Sequence, residues 1–189
     1  EGGAFFRSTP DQPKPDLQIH FVVGIVDQHM RKLHLADGFS AHVCVLRPAS
    51  RGSVTLVSTN PSVAPALDMG FLSDPRDLQS LLAGARLTET MLQSPELAPW
   101  RGQRLYPHDG SDAGLQEAIR AHADTIYHPV GTCRMGSDRD AVTSPDLRVR
   151  GVQNLRVVDA SVMPRLIGGN TNAPTIMLAE RAADLISHG

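Results

Sequence analysis

Strict alternation of apolar and polar residues near the start of the chain constrains its fold more than any other feature. Leu17, Ile19 and Phe21 alternate with Gln18 and His20, and Phe39, Ala41, Val43 and Val45 alternate with Ser40, His42 and Cys44. A period of two puts one set of side chains on each face of a half-buried strand, and two such strands with one wetted face form an antiparallel sheet. The β-branched run Ser53-Val-Thr-Leu-Val57, opened by Arg51-Gly52 and closed by Ser58-Thr-Asn-Pro61, is predicted as a third strand. Residues 7–16 are proline-rich and polar, so ordered structure is expected to begin after them.

Further along, the period changes. Leu78, Leu81, Leu82, Ala85 and Met91 recur at helical spacing, with Asp74 placed to cap the first turn and Pro75 inside it, which predicts a helix over residues 75–93. A second helix is predicted over 115–123, with residues 100–112 as a long loop. Leu155-Arg-Val-Val158 reads as a further strand. Residues 174–186 read as a helix whose polar residues Glu180, Arg181 and Asp184 fill one narrow stripe, a pattern that expects burial almost all round. Sheet first and helices afterwards make an α+β domain, an antiparallel sheet with helices packed on one face. The last strand and helix belong to a different layer and are expected to need a partner.

Composition narrows the function classes. A 41% hydrophobic content and 16 glycines fit a globular domain rather than a disordered tail. Eighteen Lys+Arg against 20 Asp+Glu leave a net charge of -2. With no basic run, nothing electrostatic calls for nucleic acid or an anionic membrane as partner. The apolar stretch over residues 21–26 falls far short of the about 20 residues needed to cross a bilayer, so no transmembrane segment is expected. Cys44 and Cys133 form neither a disulfide framework nor a CxxC pair, which suits a reducing compartment; the expected location is the cytoplasm, with a membrane-peripheral position as its variant. The chain opens on Glu1 without an initiator Met, which suggests a piece of something longer, and residues 1–7 lack the features of a signal peptide. No three of His20, His29, His34 and His42 have ligand spacing, so solvated or sheet-face histidines are expected there and no metal. Cys133, Met135, Met163 and Met177 are expected to pack.

The chemistry gathers between residues 127 and 175. In Tyr127-His-Pro-Val-Gly-Thr-Cys-Arg-Met-Gly136, Pro129 excludes the helical region for His128 and Gly131 permits a positive φ. His128 is thereby held in an extended loop with its imidazole projecting. A histidine can take a proton at neutral pH, which is what oxidation of an alcohol asks of a base; a ring hydrogen-bonded within a turn is the alternative. The second cluster runs Leu155-Arg-Val-Val-Asp-Ala-Ser-Val-Met-Pro164 and then Gly168-Gly-Asn-Thr-Asn-Ala-Pro-Thr-Ile-Met177. A strand ending at Asp159, a glycine loop and a helix starting near Pro174 bring free N–H groups and the positive end of a helix dipole to one point, a place for an anion. In the plainer reading Asn170 and Asn172 only cap and turn.

Together these clusters resemble the glucose-methanol-choline (GMC) oxidoreductase family. The resemblance is carried by Tyr127-His-Pro-Val-Gly-Thr132, by residues 155–164, by Gly169-Asn-Thr-Asn-Ala-Pro-Thr175 and by Ala179-Glu-Arg-Ala-Ala-Asp-Leu-Ile186, in the family's order. Pro15-Asp-Leu-Gln-Ile-His-Phe21, Arg47-Pro-Ala-Ser-Arg-Gly52 and Phe71-Leu-Ser-Asp-Pro75 also resemble its carboxy-terminal region. The likeness thus spans nearly the whole chain and is greatest toward choline-dehydrogenase-type and bacterial alcohol dehydrogenases.

The resemblance implies an FAD enzyme that oxidises an alcohol to an aldehyde and passes electrons to an acceptor. By it, His128 removes the hydroxyl proton while hydride moves from carbon to flavin N5, and Asn170 is the second catalytic position, a neutral hydrogen bonder for the developing alkoxide. Asp159 and Ala160 would approach the ribityl and pyrophosphate part of FAD. Asn172, Ala173, Pro174 and Thr175 would approach the flavin ring, where a helix N-terminus favours negative charge. Arg134 and Arg165 stay open between flavin phosphates, an acidic substrate and surface ion pairs. No G-x-G-x-x-G follows a strand near the start, and Gly168-Gly169 does not replace one. The expected organisation is therefore a substrate-binding domain over residues 1–137 and a return segment over 138–189 contributing to the FAD site, the amino-terminal FAD-binding domain being absent from this chain. Alone, the piece is expected to hold FAD weakly, to turn over nothing and to dimerise. The competing reading is a non-catalytic interaction or assembly domain that retains the scaffold.

Overall fold

The computed structural model describes residues 2–188. They form two compact units, one built from residues up to Ser50 together with Phe71–Asp124, the other from Arg51–Gly70 together with residues from Thr125 onward.

The first unit holds a three-stranded antiparallel sheet in the order β1 (Gly2–Phe6), β2 (Leu17–Val22), β3 (Ser40–Val45). The central strand pairs Leu17 with Phe6 on one side and Val45 on the other, and His20 with Gly3 and His42. β1 lies before the proline-rich loop, where no ordered structure was expected. Its two glycines give it little strand propensity, and its extended form rests on the ladder to β2. Gln18, expected on a wetted face, is buried between Phe5 and Cys44 in the register, so both faces of β2 are covered.

Helix α1 (Pro75–Leu92) lies on β2 and β3. Asp74 caps it as expected, its carboxylate accepting from the Arg76 N–H at 3.0 Å. Its buried stripe is Asp77, Leu78, Gly84 and Thr88, at the i, i+3/i+4 spacing of one helical face. Gly84 marks the closest approach to the sheet. A Cβ there would stand 2.7 Å from Val43 Cγ2 and 3.3 Å from Leu17 Cδ1. Gly84→Val is expected to destabilise the chain by about 2 kcal/mol, because overpacking exceeds the few tenths gained in helix propensity. Urea unfolding measures it, and an unchanged midpoint would show that the helix can lift off the sheet at little cost. Helix α2 (Asp112–His122) packs against α1, begins three residues before its predicted start because Ser111 caps it, and buries Leu115. The loop between the helices includes a 3₁₀ turn at Pro95–Trp100.

Asp74 also makes the unit sensitive to acid. Its carboxylate takes the Arg76 guanidinium at 2.9 and 2.7 Å as well as the N–H, which holds its pKa down to about 2. A carboxyl whose folded pKa is depressed contributes stability above its unfolded value of about 3.9, lost as pH falls through the folded value. The thermal midpoint is therefore expected to drop between pH 4 and 2. In Asp74→Asn, which keeps a good cap but cannot ionise, that part of the drop should vanish.

The second unit contains a hairpin of β4 (Ser53–Thr55) and β5 (Ala66–Asp68), a set of tight loops, and helix α3 (Asn172–His188). β4 does not join the first sheet as its third strand, and it stops two residues short of the predicted Val57; it pairs Ser53 with Asp68 and Thr55 with Ala66. β-Branched residues favour an extended backbone but do not choose its partner. Here the chain returns on itself, and a glycine pair closes the hairpin base. Gly70 is left-handed at φ +59, and a Cβ on it would stand 2.1 Å from the Arg51 carbonyl oxygen.

The core of this unit is Leu147, Val162 and Ala182, with Met135, Val157, Val158 and Leu178 packed against it. The predicted strand at residues 155–158 makes one bridge, Arg148 with Arg156, and no continuous ladder. Helix α3 begins two residues before its predicted start. The apolar pattern asks for burial almost all round and for a partner; among the described residues only Ala182 of this helix is buried, while Ile176, Met177 and Ile186 are 55%, 60% and 56% exposed. Met177 thus does not pack, whereas Met163 is buried and Met135 lies against the core. The helix docks through the Leu178–Ala182 face, and the elements beside it cover no more than that. No helix among the described residues is long and apolar enough to cross a membrane.

Candidate active site

The loop carrying His128 is clamped to the loop that follows residue 159. Cys133 N–H donates to the Ser161 carbonyl at 3.0 Å and Met135 N–H to the Val162 carbonyl at 2.8 Å. Val162 and Met163 at this junction are buried. At its amino-terminal end Tyr127 takes a left-handed φ of +64, and its N–H donates to Thr125 Oγ1 at 2.9 Å. For a bulky residue that conformation costs on the order of 1 kcal/mol. Pro129 then excludes the helical region for His128, and Gly131 turns the chain at φ +93 as its sequence allows.

These turns aim the half-buried His128 ring at the loop before α3. Asn170 Nδ2 donates to His128 Nε2 at 3.1 Å, and His128 Nδ1 stands 2.9 Å from Thr171 Oγ1. The two candidate catalytic residues, 42 positions apart in sequence, are therefore in direct contact. Asn170 is exposed and Thr171 is 9% exposed, so the ring is wetted at Nε2 and enclosed at Nδ1. The family resemblance singles out Asn170 but not Thr171. The one signal for Thr171 is a hydroxyl adjacent to Asn170 in the same turn.

The remaining candidates lie on the 3₁₀ turn after residue 158 and at the start of α3. Asp159 caps the 3₁₀ turn Ala160–Val162: its carboxylate accepts from the Ser161 N–H at 2.8 Å and from the Ser161 hydroxyl. Ala160 opens that turn and is half-buried. Asn172 and Ala173 are exposed at the start of α3, whose first turn holds no acidic side chain. Asn172 is the first helical residue, so the position before it, Thr171, supplies the carbonyl that accepts from the Thr175 N–H at 3.0 Å and the Thr175 hydroxyl at 2.7 Å. Pro174 fits the first turn because it has no N–H to satisfy. Arg134 forms a two-pronged ion pair with Asp138 at 2.9 and 2.7 Å, which holds the Asp138 carboxyl well below the usual range. Cys133 is a half-buried free thiol.

A conserved-family model described as GMC oxidoreductase, for the carboxy-terminal region of such proteins, matches residues 48–179. The chain belongs to the GMC oxidoreductase family. It is 45% identical over 188 residues to an alcohol dehydrogenase [acceptor] of Pseudomonas putida, covering 98% of this chain and 34% of that protein. It is 44% identical over 190 residues to the mitochondrial choline dehydrogenase of Homo sapiens, covering 98% and 32%. Among solved structures it superposes on pyridoxine 4-oxidase from Mesorbium loti with a TM-score of 0.88 at 30% identity, over 99% of this chain and 38% of that one. A formate oxidase of Aspergillus oryzae RIB40 gives 0.84 at 26% identity, over 92% and 32%. The chain thus spans about a third of the length of the curated relatives it matches.

Proposed function

We propose that this chain is the carboxy-terminal part of an FAD-dependent alcohol dehydrogenase of the choline-dehydrogenase type, and that it supplies the base and the alkoxide-binding group. The observation that carries this reading is the direct contact of His128 Nε2 with Asn170 Nδ2 on an exposed face. An alcohol oxygen that enters between them and displaces the amide from Nε2 would give its proton to Nε2 and accept from Nδ2, so the charge developing on oxygen is met by a donor beside it. Asn170 does not titrate, which leaves His128 as the one proton acceptor of the pair.

FAD, when bound, accepts the hydride that the alcohol carbon releases. The residues present fit a group that becomes anionic on reduction. Helix α3 offers the N–H groups of its first turn, with Asn172 and Ala173 exposed and no carboxylate beside them. Asn172, Ala173, Pro174 and Thr175 would hold the flavin ring, and Asp159 and Ala160 the chain leading to the phosphates. On this reading residues 1–137 serve substrate binding and 138–189 return to the flavin part of the longer polypeptide. Two free cysteines suit the cytoplasm.

The test is an anaerobic visible spectrum of the full-length polypeptide before and after a panel of primary alcohols that includes choline. Bleaching of a flavin band supports the reading. A protein that shows no flavin band even when FAD is supplied would instead favour a non-catalytic domain.

A further inference from the structure

We infer that Thr171 is a positioning residue for His128: its hydroxyl oxygen accepts the Nδ1 proton and so keeps the proton-accepting lone pair on Nε2. This rests on the reading of His128 as the base. A neutral imidazole carries one ring proton, and its location is set by what each nitrogen faces. At Nε2 the partner is the Asn170 Nδ2 amide, a donor at 3.1 Å, which requires a lone pair there. With the amide in this orientation the proton is assigned to Nδ1, 2.9 Å from Thr171 Oγ1, a distance for N–H···O.

Thr171 is well built for this role. It is 9% exposed, and its carbonyl accepts both the Thr175 N–H and the Thr175 hydroxyl, which ties its backbone to the first turn of α3. The residue carrying the hydroxyl is thus anchored at the start of α3. Without it, no other described residue is placed to hold the Nδ1 proton, and the ring can turn or adopt the other tautomer, which would place N–H where the lone pair must be.

The experiment uses the full-length polypeptide labelled with ¹⁵N-histidine, comparing the parent with Thr171→Val and Thr171→Ser. The expected spectrum of the parent places the His128 proton on Nδ1 at neutral pH. Thr171→Val should move it toward the Nε2–H form, and Thr171→Ser should restore the parent pattern. In steady-state assays on a bleaching alcohol, Thr171→Val is expected to lower kcat by about 10- to 100-fold with KM little changed, and Thr171→Ser to recover most of that loss. A parent ring protonated at Nε2, a Thr171→Val ring indistinguishable from the parent, or a serine variant as impaired as the valine one would each overturn the assignment. If no alcohol is oxidised at all, the proposed activity fails, while the nitrogen spectra still decide the role of Thr171.

Discussion

Replacing His128 by Ala in the full-length polypeptide is expected to lower kcat/KM for alcohol oxidation by about 10²–10⁴-fold, the contribution of a well-placed general base. The loss should appear as slowed anaerobic bleaching of the flavin band. The fold is expected to survive, because the loop is held by main-chain bonds from Cys133 to Ser161 and Met135 to Val162 rather than by the ring. Asn170→Ala should cost about 10²-fold, as removal of one donor to a developing oxyanion does. On the proposed mechanism the two groups act on one oxygen, so the double variant is expected to be little worse than His128→Ala alone. Full additivity would mean that they act on separate steps. An His128→Ala protein that bleaches at the parent rate would remove His128 from the chemistry altogether.

The largest stability effect is expected at Asp77. This carboxylate, 5% exposed in the first turn of α1, accepts from the Ala49 N–H at 2.8 Å and the Ser50 N–H at 2.9 Å, and so joins the end of the β3 segment to the start of the helix. Asp74 N–H returns a bond to Ser50 Oγ at 3.0 Å, closing the junction from the other side. Hydrogen bonds to a charged acceptor contribute about 1.5–3 kcal/mol each, and the negative charge also suits the helix N-terminus. Asp77→Ala is accordingly expected to destabilise the chain by about 3–4 kcal/mol in urea unfolding. Asp77→Asn, which keeps one acceptor oxygen at the same place, should recover a part of it. A loss below about 1 kcal/mol would show that water replaces the carboxylate at this junction.

Local features read cleanly. The caps of α1 at Asp74 and the extended forms of β2 and β3 depend on residues within a few positions of one another, and the motif around His128 needs only its own proline and glycine. Partner choice was not legible. Ser53–Thr55 reads as a strand, but its pairing with β5 rather than the first sheet depends on the close glycine base at Gly52 and Gly70. β1 was missed because Gly2 and Gly3 carry no strand signal, and the ladder to β2 supplies what propensity does not. The exposure of Ile176, Met177 and Ile186 went against an apolar pattern, because a pattern states what a helix would bury and not what is present to cover it.

By itself the sequence determined the extended forms of β2 and β3, the helices with the cap of α1, and, through the family resemblance, the candidate residues His128 and Asn170. Only the tertiary structure decided that their side chains touch and that Thr171 stands at Nδ1. The physical reason is range. Backbone sterics and side-chain periodicity act over a few residues and are written in the order of the chain. A hydrogen bond between residues 42 apart exists only once both loops have been clamped by the packing of Val162 and Met163 and the start of α3.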